Sequence, residues 1–303
     1  MSRPGLLAMD SFQLAKYATP VPCYICDGVN ATSAELCRHC QAPMALAHQV
    51  QQSVTPQMVA VLGTTGSGKT VYIGMLTDML SRYSSELQLL ARGAFSISLQ
   101  QATAGALSQC EFPLKTPNEP DRWNWVHSRV LVPQKNQKIE LIMPDVAGEA
   151  LMEEIEHPHS YPVIRAFLSK CAAVLILIDI EGLDEGCDDQ DYFGMKMITY
   201  LNEMNSDAKS GWGSRPISIV FTKSDQCDAC FEDPVAFARQ RTPGLFKQCH
   251  ERLRRCRFFA SSVAGACAFE VSREGRFRVP LRIEPRGVTE PFVWLIHQLT
   301  GTK

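Results

Sequence analysis

The chain has 303 residues, of which 45% are hydrophobic and 20% charged, and its formal net charge is −2. This is the balance of a globular protein with a sizeable core, and it gives no sign of a nucleic-acid or membrane-surface partner. The first residues make no secretory signal, and the longest apolar run, 171–178, is too short to span a bilayer. We therefore expect a cytoplasmic protein without a transmembrane segment. Its 12 cysteines then indicate metal ligands and buried thiols more than disulfides.

Two Cys-x-x-Cys pairs stand near the N-terminus, separated by ten residues. Their members are Cys23, Cys26, Cys37 and Cys40. Each pair can form a turn that points two thiolates at one ion, and four thiolates close a tetrahedral zinc site. The spacing predicts a small Cys₄ zinc ribbon, in which the metal substitutes for a core that so short a segment cannot build. We assign residues 1–50 to an N-terminal arm with this ribbon and 51–303 to a second domain.

The second domain is predicted to alternate strands and helices. Short apolar runs predict strands at 58–62, 126–132, 138–143, 172–178, 217–221 and 258–260. A helix is expected after the first strand and another over 289–299, capped by Thr289, while 269–286 is a candidate hairpin. Alternation of this kind predicts an α/β fold, a three-layer sandwich around a mostly parallel sheet.

A glycine-rich segment follows the first predicted strand and precedes the first predicted helix. It reads Gly63, Thr64, Thr65, Gly66, Ser67, Gly68, Lys69, Thr70 and fits G-x-x-x-x-G-K-[ST] in full. Glycines allow successive backbone N–H groups to curl around phosphate oxygens at a helix N-terminus. Lys69 is expected to reach the β- and γ-phosphates, and the Thr70 hydroxyl to ligate Mg²⁺.

A second phosphate-side motif, Asp145-Val-Ala-Gly148, follows the strand predicted over 138–143. A carboxylate at the carboxyl end of a strand beside the P-loop can hold Mg²⁺ through water, which is the role predicted for Asp145. The N–H group of Gly148 is expected to face the γ-phosphate.

The segment Thr222-Lys223-Ser224-Asp225 follows the strand 217–221 and resembles the [NT]-K-x-D signature of GTPases. Asp225 would accept hydrogen bonds from guanine N1–H and the N2 amino group, whereas adenine has neither donor and would leave a buried carboxylate unpaired. After the next strand, Ser261 and Ser262 resemble the loop that supports guanine O6.

The order of these motifs over residues 57–303 resembles that of the translation-factor-related and Ras-like GTPases. The tracts 68–73 and 289–294 are similar to those of bacterial double-GTPase families. This resemblance implies a P-loop G domain that binds GTP or GDP with Mg²⁺. It also implies action in a multi-protein system with another protein as partner, in some cases a second GTPase.

The pattern leaves alternatives open at two catalytic positions. A switch segment must supply a threonine to Mg²⁺ and the γ-phosphate, for which Thr116 is the candidate and Thr103 the alternative. Glu149 stands where Ras-like proteins have a water-orienting glutamine, and its carboxylate could accept a proton from water or repel the γ-phosphate. We therefore expect Lys69, Thr116 and Glu149 to be the catalytic residues of a regulatory GTPase that acts as a conformational switch. The alternative is a nucleotide-holding assembly module with negligible turnover.

Overall fold

The computed structural model describes residues 20–51, 56–82, 86–184, 188–204, 211–272 and 275–301. Most of the N-terminal arm expected before the cysteine motif lies outside these residues.

A seven-stranded sheet forms the centre of the molecule, in the order β4-β5-β6-β3-β7-β8-β9. Its strands in chain order are β3 (Gln57–Gly63), β4 (Gln88–Arg92), β5 (Asn124–Val132), β6 (Gln137–Asp145), β7 (Cys171–Asp179), β8 (Ile217–Thr222) and β9 (Cys256–Ala260). The strands β6, β3, β7, β8 and β9 run parallel, while β5 is antiparallel to both of its neighbours. The mostly parallel sheet predicted from the sequence is thus confirmed.

Helices cover both faces of this sheet. They are α2 (Lys69–Ser81), α3 (Gly93–Ser108), α4 (Gly148–Glu156), α5 (Pro162–Lys170), α6 (Ile180–Asp184), α7 (Asp189–Met204), α8 (Asp228–Glu232), α9 (Pro234–Arg241), α10 (Pro243–Arg252) and α11 (Glu290–Thr300). Side chains of β3 alternate between the faces, with Val59 and Val61 packing with α2, α3 and α11, and Met58, Ala60 and Leu62 with the helices opposite. Because both faces are buried, the central strands read as continuous apolar runs, and the result is the predicted three-layer sandwich.

The N-terminal segment consists of the short strands β1 (Val21–Pro22) and β2 (Val29–Asn30), and helix α1 (Met44–Gln51). Its buried side chains, among them Ile25 and Met44, belong to the same apolar cluster as the sheet face under α4 and α5. Lys170 at the end of α5 pairs with Asp27 at 2.6 Å and donates to the carbonyl of Tyr24 at 3.1 Å. The segment therefore packs directly on the α/β layers.

Strand β6 does not stop before Pro144, as the sequence had predicted, but continues to Asp145. Strand β6 pairs with β3 at Leu141 and Ile142. Pro144 lies beyond these pairs, where no backbone N–H is needed for hydrogen bonding to β3. Thr289 occupies the N-cap position of α11 as predicted. However, its side chain makes no capping hydrogen bond and instead lies 3.2 Å from the Glu290 carboxylate.

The stretch between α2 and β5 holds an edge strand and a helix, β4 and α3, that the sequence analysis did not predict. Thr103, the alternative switch threonine, lies buried within α3. A Cβ placed at Gly74 of α2 would lie 2.2 Å from the Thr103 hydroxyl, which shows how closely the two helices cross. The loop that leads to β5 carries Thr116.

A long hairpin follows β9. Its strands are β10 (Ser262–Ser272) and β11 (Gly275–Arg286), which pair in antiparallel register with Phe269 opposite Arg278. The hairpin predicted within 269–286 exists, but it begins earlier, at the serine pair that follows β9. This places it beside the ends of the parallel strands.

Candidate nucleotide-binding site

A cavity of about 390 Å³ lies at the carboxyl ends of the parallel strands. It is lined by the glycine-rich loop, residues 112–116, Gly148, the 222–225 segment, the loop 261–264 and Arg278. Segments far apart in the chain meet here because parallel strands all end at the same edge of the sheet, which is where open α/β sheets bind ligands.

The glycine-rich loop connects β3 to α2 with two residues in the left-handed region, Gly66 at φ 81° and Gly68 at φ 88°. Only glycine adopts these values without strain. Gly68 takes the N-cap position of α2, and no side chain caps that helix. The first N–H groups of α2 are therefore available to an anion.

Lys69 is buried, and its ammonium donates to the carbonyls of Gly63 at 2.8 Å and Thr64 at 2.9 Å. Burial lowers the pKa of Lys69 to about 8, opposed by the nearby Asp145 carboxylate. Within the described part of the chain these two carbonyls are the hydrogen-bond partners of the buried cation, which is poised to exchange them for phosphate oxygens.

Three oxygen atoms form a triangle at the end of β6. The hydroxyls of Thr70 and Thr116 each lie 2.9 Å from Asp145 Oδ2 and 3.0 Å from each other. Asp145 is fully buried, and burial raises its pKa. Its second oxygen, Oδ1, has no hydrogen-bond partner among the described residues. A carboxylate with a spare buried oxygen beside two hydroxyls is a donor set that fits Mg²⁺.

Gly148 begins helix α4 directly against the glycine-rich loop. A Cβ at this position would lie 2.3 Å from the Thr65 backbone nitrogen, a separation that no side chain tolerates. The glycine in Asp-x-x-Gly is thus required for the close approach of α4 to the loop, where an N–H group can face a terminal phosphate.

Glu149 lies outside the buried cluster, on the surface of the first turn of α4. Its carboxylate contacts the ammonium of Lys115 and accepts a hydrogen bond from the Asn118 amide at 2.6 Å. These contacts lower the pKa of Glu149, the Lys115 hydrogen bond most. Glu149 therefore joins α4 to the loop that carries Thr116.

The end of β8 is tied to the glycine-rich loop by a side chain. The Thr222 hydroxyl donates to the Ser67 carbonyl at 2.9 Å. Lys223 follows in the left-handed region at φ 59°, and its ammonium pairs with Asp179 at 2.5 Å and Glu181 at 3.0 Å. Burial raises the pKa of Asp179, opposed by Lys223.

Asp225 lies buried at the opposite end of the cavity, with 1% of its side chain exposed. The Ser262 hydroxyl is 3.1 Å from Asp225 Oδ1. The Ser261 N–H group donates to the Phe221 carbonyl at 2.8 Å, which fixes the serine loop against the end of β8. Arg278 of β11 lies 2.9 Å from both oxygens of Asp225.

The structure thus brings the glycine-rich loop, Thr116, Asp145, Gly148 and the base motif to one cavity. It also shows side chains that sequence reasoning missed. Lys115 and Arg278 line the cavity. Asn118, Asp179 and Glu181 bind the side chains of the predicted site residues Glu149 and Lys223. Lys115 adjoins the predicted Thr116, so its position in sequence was a usable signal. Nothing in the sequence marks Arg278, because only the return of the hairpin brings it to Asp225.

A second site lies in the N-terminal segment. The sulfur atoms of the four predicted cysteines lie within 4.8 Å of one another, with Cys23–Cys40 at 3.7 Å and Cys26–Cys37 at 3.5 Å. Zinc–sulfur bonds of about 2.3 Å in a tetrahedron place sulfurs roughly 3.8 Å apart, so the spacing fits a Cys₄ zinc ion. Backbone N–H groups of Ile25 and His39 donate to two of the sulfurs at 3.3 and 3.4 Å, as is common around structural zinc. His39 is not part of the cluster.

The sheet order and the motif-bearing loops define the α/β fold of a P-loop GTPase. The chain belongs to the Double-GTPase 2 family, whose model matches residues 57–271. This membership supports binding of GTP and GDP and identity as a GTP hydrolase.

Solved structures with related folds include the Arl6 BBS3 small GTPase from Trypanosoma brucei with a bound nucleotide analogue. It shares 15% identity over 82% of this chain and 100% of its own, with a TM-score of 0.44. An ADP-ribosylation-factor-like GTP-binding protein from Encephalitozoon cuniculi, in complex with GDP, shares 14% identity over 97% and 92% of the two chains, with a TM-score of 0.38. The sequence has no significant match among curated proteins. Within the described residues, no helix has the length and apolar character needed to cross a bilayer.

Proposed function

We propose that this protein binds GTP with Mg²⁺, hydrolyses it to GDP, and acts as a conformational switch. The observation that carries the proposal is the arrangement of one cavity. The buried Asp225 carboxylate lies at one end, and at the other lie the Lys69 ammonium and the oxygens of Thr70, Thr116 and Asp145.

Each end of the cavity suits one part of the nucleotide. Asp225 accepts from the two donors on the edge of guanine, and Ser261 and Ser262 lie beside it for O6. The N–H groups of the loop 63–70 surround the α- and β-phosphates. Lys69 leaves the carbonyls of Gly63 and Thr64 for β- and γ-phosphate oxygens.

The hydrolytic machinery consists of groups that hold charge and position water. Thr70, Thr116 and Asp145 would hold Mg²⁺, and the bound ion would supply positive charge that neutralises the charge developing on the phosphates. The N–H group of Gly148 faces the γ-phosphate, and Glu149 accepts a proton from the attacking water. Because Thr116 and Gly148 both depend on the γ-phosphate, its loss releases the loop 112–118 and the start of α4.

A second candidate function is nucleotide binding with negligible turnover. The observation in its favour is that the Glu149 carboxylate is engaged by Lys115 and Asn118. If those contacts persist with GTP bound, Glu149 holds α4 against the loop that carries Thr116 and does not accept a proton. The protein would then report or assemble in its GTP-bound form.

Single-turnover hydrolysis separates the two candidates. Excess protein is mixed with GTP and Mg²⁺, and GDP formation is followed for wild type and Thr116→Ala. The switch proposal predicts measurable GDP formation that Thr116→Ala slows, while Ser169→Ala, an exposed hydroxyl change on α5, leaves the rate unchanged. Tight GTP binding without GDP formation would favour the assembly module.

We further propose that the GTP-bound form acts in the cytoplasm with a protein partner, for which the family's name suggests a second GTPase. In this proposal residues 1–50 form an arm and zinc ribbon that braces the G domain, 51–303. Its test is to compare what co-purifies with the protein loaded with a non-hydrolysable GTP analogue and with GDP. Partners that prefer the analogue-loaded form support the proposal, and identical sets contradict it.

A further inference from the structure

Arg278 of strand β11 forms an ion pair with Asp225 that is largely shielded from solvent. Its Nη2 lies 2.9 Å from Oδ1 and 2.9 Å from Oδ2 of Asp225. The exposed fractions of the two side chains are 14% for Arg278 and 1% for Asp225. One nitrogen atom thus satisfies both oxygens of a buried carboxylate.

The other arm of the guanidinium is held as well. Arg278 Nη1 lies 2.6 Å from the Glu181 carboxylate, which also pairs with Lys223 at 3.0 Å. Arg278 Nε, by contrast, is buried and has no hydrogen-bond partner among the described residues. Both terminal nitrogens of Arg278 are therefore paired, whereas its Nε–H donor is not. A different position of the side chain could give that donor a partner.

Guanine and Arg278 cannot occupy Asp225 together. The base would donate N1–H and an N2 hydrogen to the same two oxygens that Nη2 now approaches, so its edge needs the space of the guanidinium. Without base or arginine, the buried Asp225 carboxylate would keep the Ser262 hydroxyl as its one hydrogen-bond donor among the described side chains, and a buried charge with a single neutral donor is costly.

We infer that Arg278 competes with guanine for Asp225, stabilises the nucleotide-free protein and thereby weakens nucleotide affinity. The inference rests on the proposed function, since it takes Asp225 as the guanine-reading group. When the nucleotide binds, Arg278 Nη2 leaves Asp225 while Nη1 stays paired with Glu181. The contact makes the nucleotide-free state an ordered one, so that the protein releases GDP more readily than Asp225 alone would allow.

The test compares GDP affinity of wild type, Arg278→Ala and Arg278→Met by titration with fluorescent GDP. The methionine variant retains an apolar stem and guards against loss of folding. Since Asp225 no longer has to give up its charge-assisted hydrogen bonds to Arg278, both variants should bind GDP at least about tenfold more tightly than wild type does. The matched control is Arg282→Ala, on the same strand, whose exposed side chain pairs with Glu284; its affinity should equal that of wild type.

Thermal melting gives a second readout. Without nucleotide, Arg278→Met should melt below wild type, because Asp225 loses its partner, whereas saturating GDP should reduce the difference to the part that comes from the lost Glu181 contact. Unchanged or weaker GDP affinity in both variants would overturn the inference, and weaker affinity would make Arg278 a ligand of the base. The wild-type titration tests the underlying function separately: if ATP and GTP bind it equally, the guanine assignment fails and this inference with it.

Discussion

Thr70 and Asp145, 75 residues apart in the chain, are joined by a 2.9 Å hydrogen bond between the Thr70 hydroxyl and Asp145 Oδ2. The Thr116 hydroxyl lies 2.9 Å from the same oxygen. A threonine of the P-loop, a threonine of the loop between α3 and β5, and the carboxylate at the end of β6 thus meet at one place. This convergence is the structural basis for placing Mg²⁺ there.

The first prediction concerns this metal site. Thr70→Val preserves the shape of the side chain and removes one oxygen ligand, so the Mg²⁺ concentration needed for tight GTP binding should rise about tenfold or more. A Mg²⁺ titration of GTP affinity measures the change. Ser81→Ala, at the far end of the same helix, is the control and should match wild type. An unaltered Mg²⁺ requirement in Thr70→Val would argue against the assignment.

The second prediction concerns Glu149. If it accepts the proton of the attacking water, Glu149→Ala should lower the single-turnover rate by about 10²-fold or more with GTP affinity unchanged. The control is Glu156→Ala at the other end of the same helix, whose equally exposed carboxylate pairs with Lys196.

Two other outcomes for Glu149→Ala are informative. Tighter GTP binding with faster hydrolysis would mean that the carboxylate repels the γ-phosphate. Unchanged rate and affinity would remove Glu149 from the mechanism and leave water positioning to a partner.

The third prediction concerns pH. In the protein without nucleotide, burial lowers the pKa of Lys69 to about 8. Bound phosphates should raise this pKa, since they favour the charged form. Below pH 8 the ammonium is charged in both states, so GDP affinity should be nearly flat. Above pH 8 binding must add a proton, and affinity should fall, at most about tenfold per pH unit. Calorimetry in two buffers of different ionisation enthalpy should show proton uptake at pH 8.5 and little at pH 7; equal uptake at both would contradict this account.

The fourth prediction concerns zinc. Protein purified without chelator should contain one zinc ion per chain by elemental analysis, and Cys37→Ser should lose it. Because the ribbon packs into the same apolar cluster as the sheet, the melting temperature should fall by several degrees. Cys110→Ser, an exposed cysteine outside the cluster, should retain zinc. Zinc-free wild type would contradict the assignment.

The sequence predicted most of the fold because the central strands are buried on both faces and therefore read as continuous apolar runs. It did not predict β4 and α3, since β4 lies at the sheet edge with Leu90 exposed and α3 buries few of its side chains. The strand end at Asp145 was also misplaced, because a proline usually ends a strand and Pro144 lies where the ladder to β3 has already ended.

The site was predictable where chemistry is carried by adjacent residues. Lys69 and Asp225 each belong to a short motif in which neighbouring residues of a single loop contact the same ligand. Arg278 was not predictable, since it reaches Asp225 only through the return of a long hairpin whose register no local pattern sets. Lys115 and Glu149 likewise meet only through the folded loop.

The most direct test of the central claim is nucleotide competition at the base-reading carboxylate. GTP, ATP and xanthosine triphosphate compete against fluorescent GDP on wild type and Asp225→Asn in the presence of Mg²⁺. Wild type should prefer GTP over ATP by orders of magnitude. Asp225→Asn should shift preference toward the xanthine nucleotide, which presents an acceptor where guanine has its amino group. Equal affinity of wild type for GTP and ATP, or an unaltered preference in Asp225→Asn, would contradict the identification of this cavity as a guanine-nucleotide site.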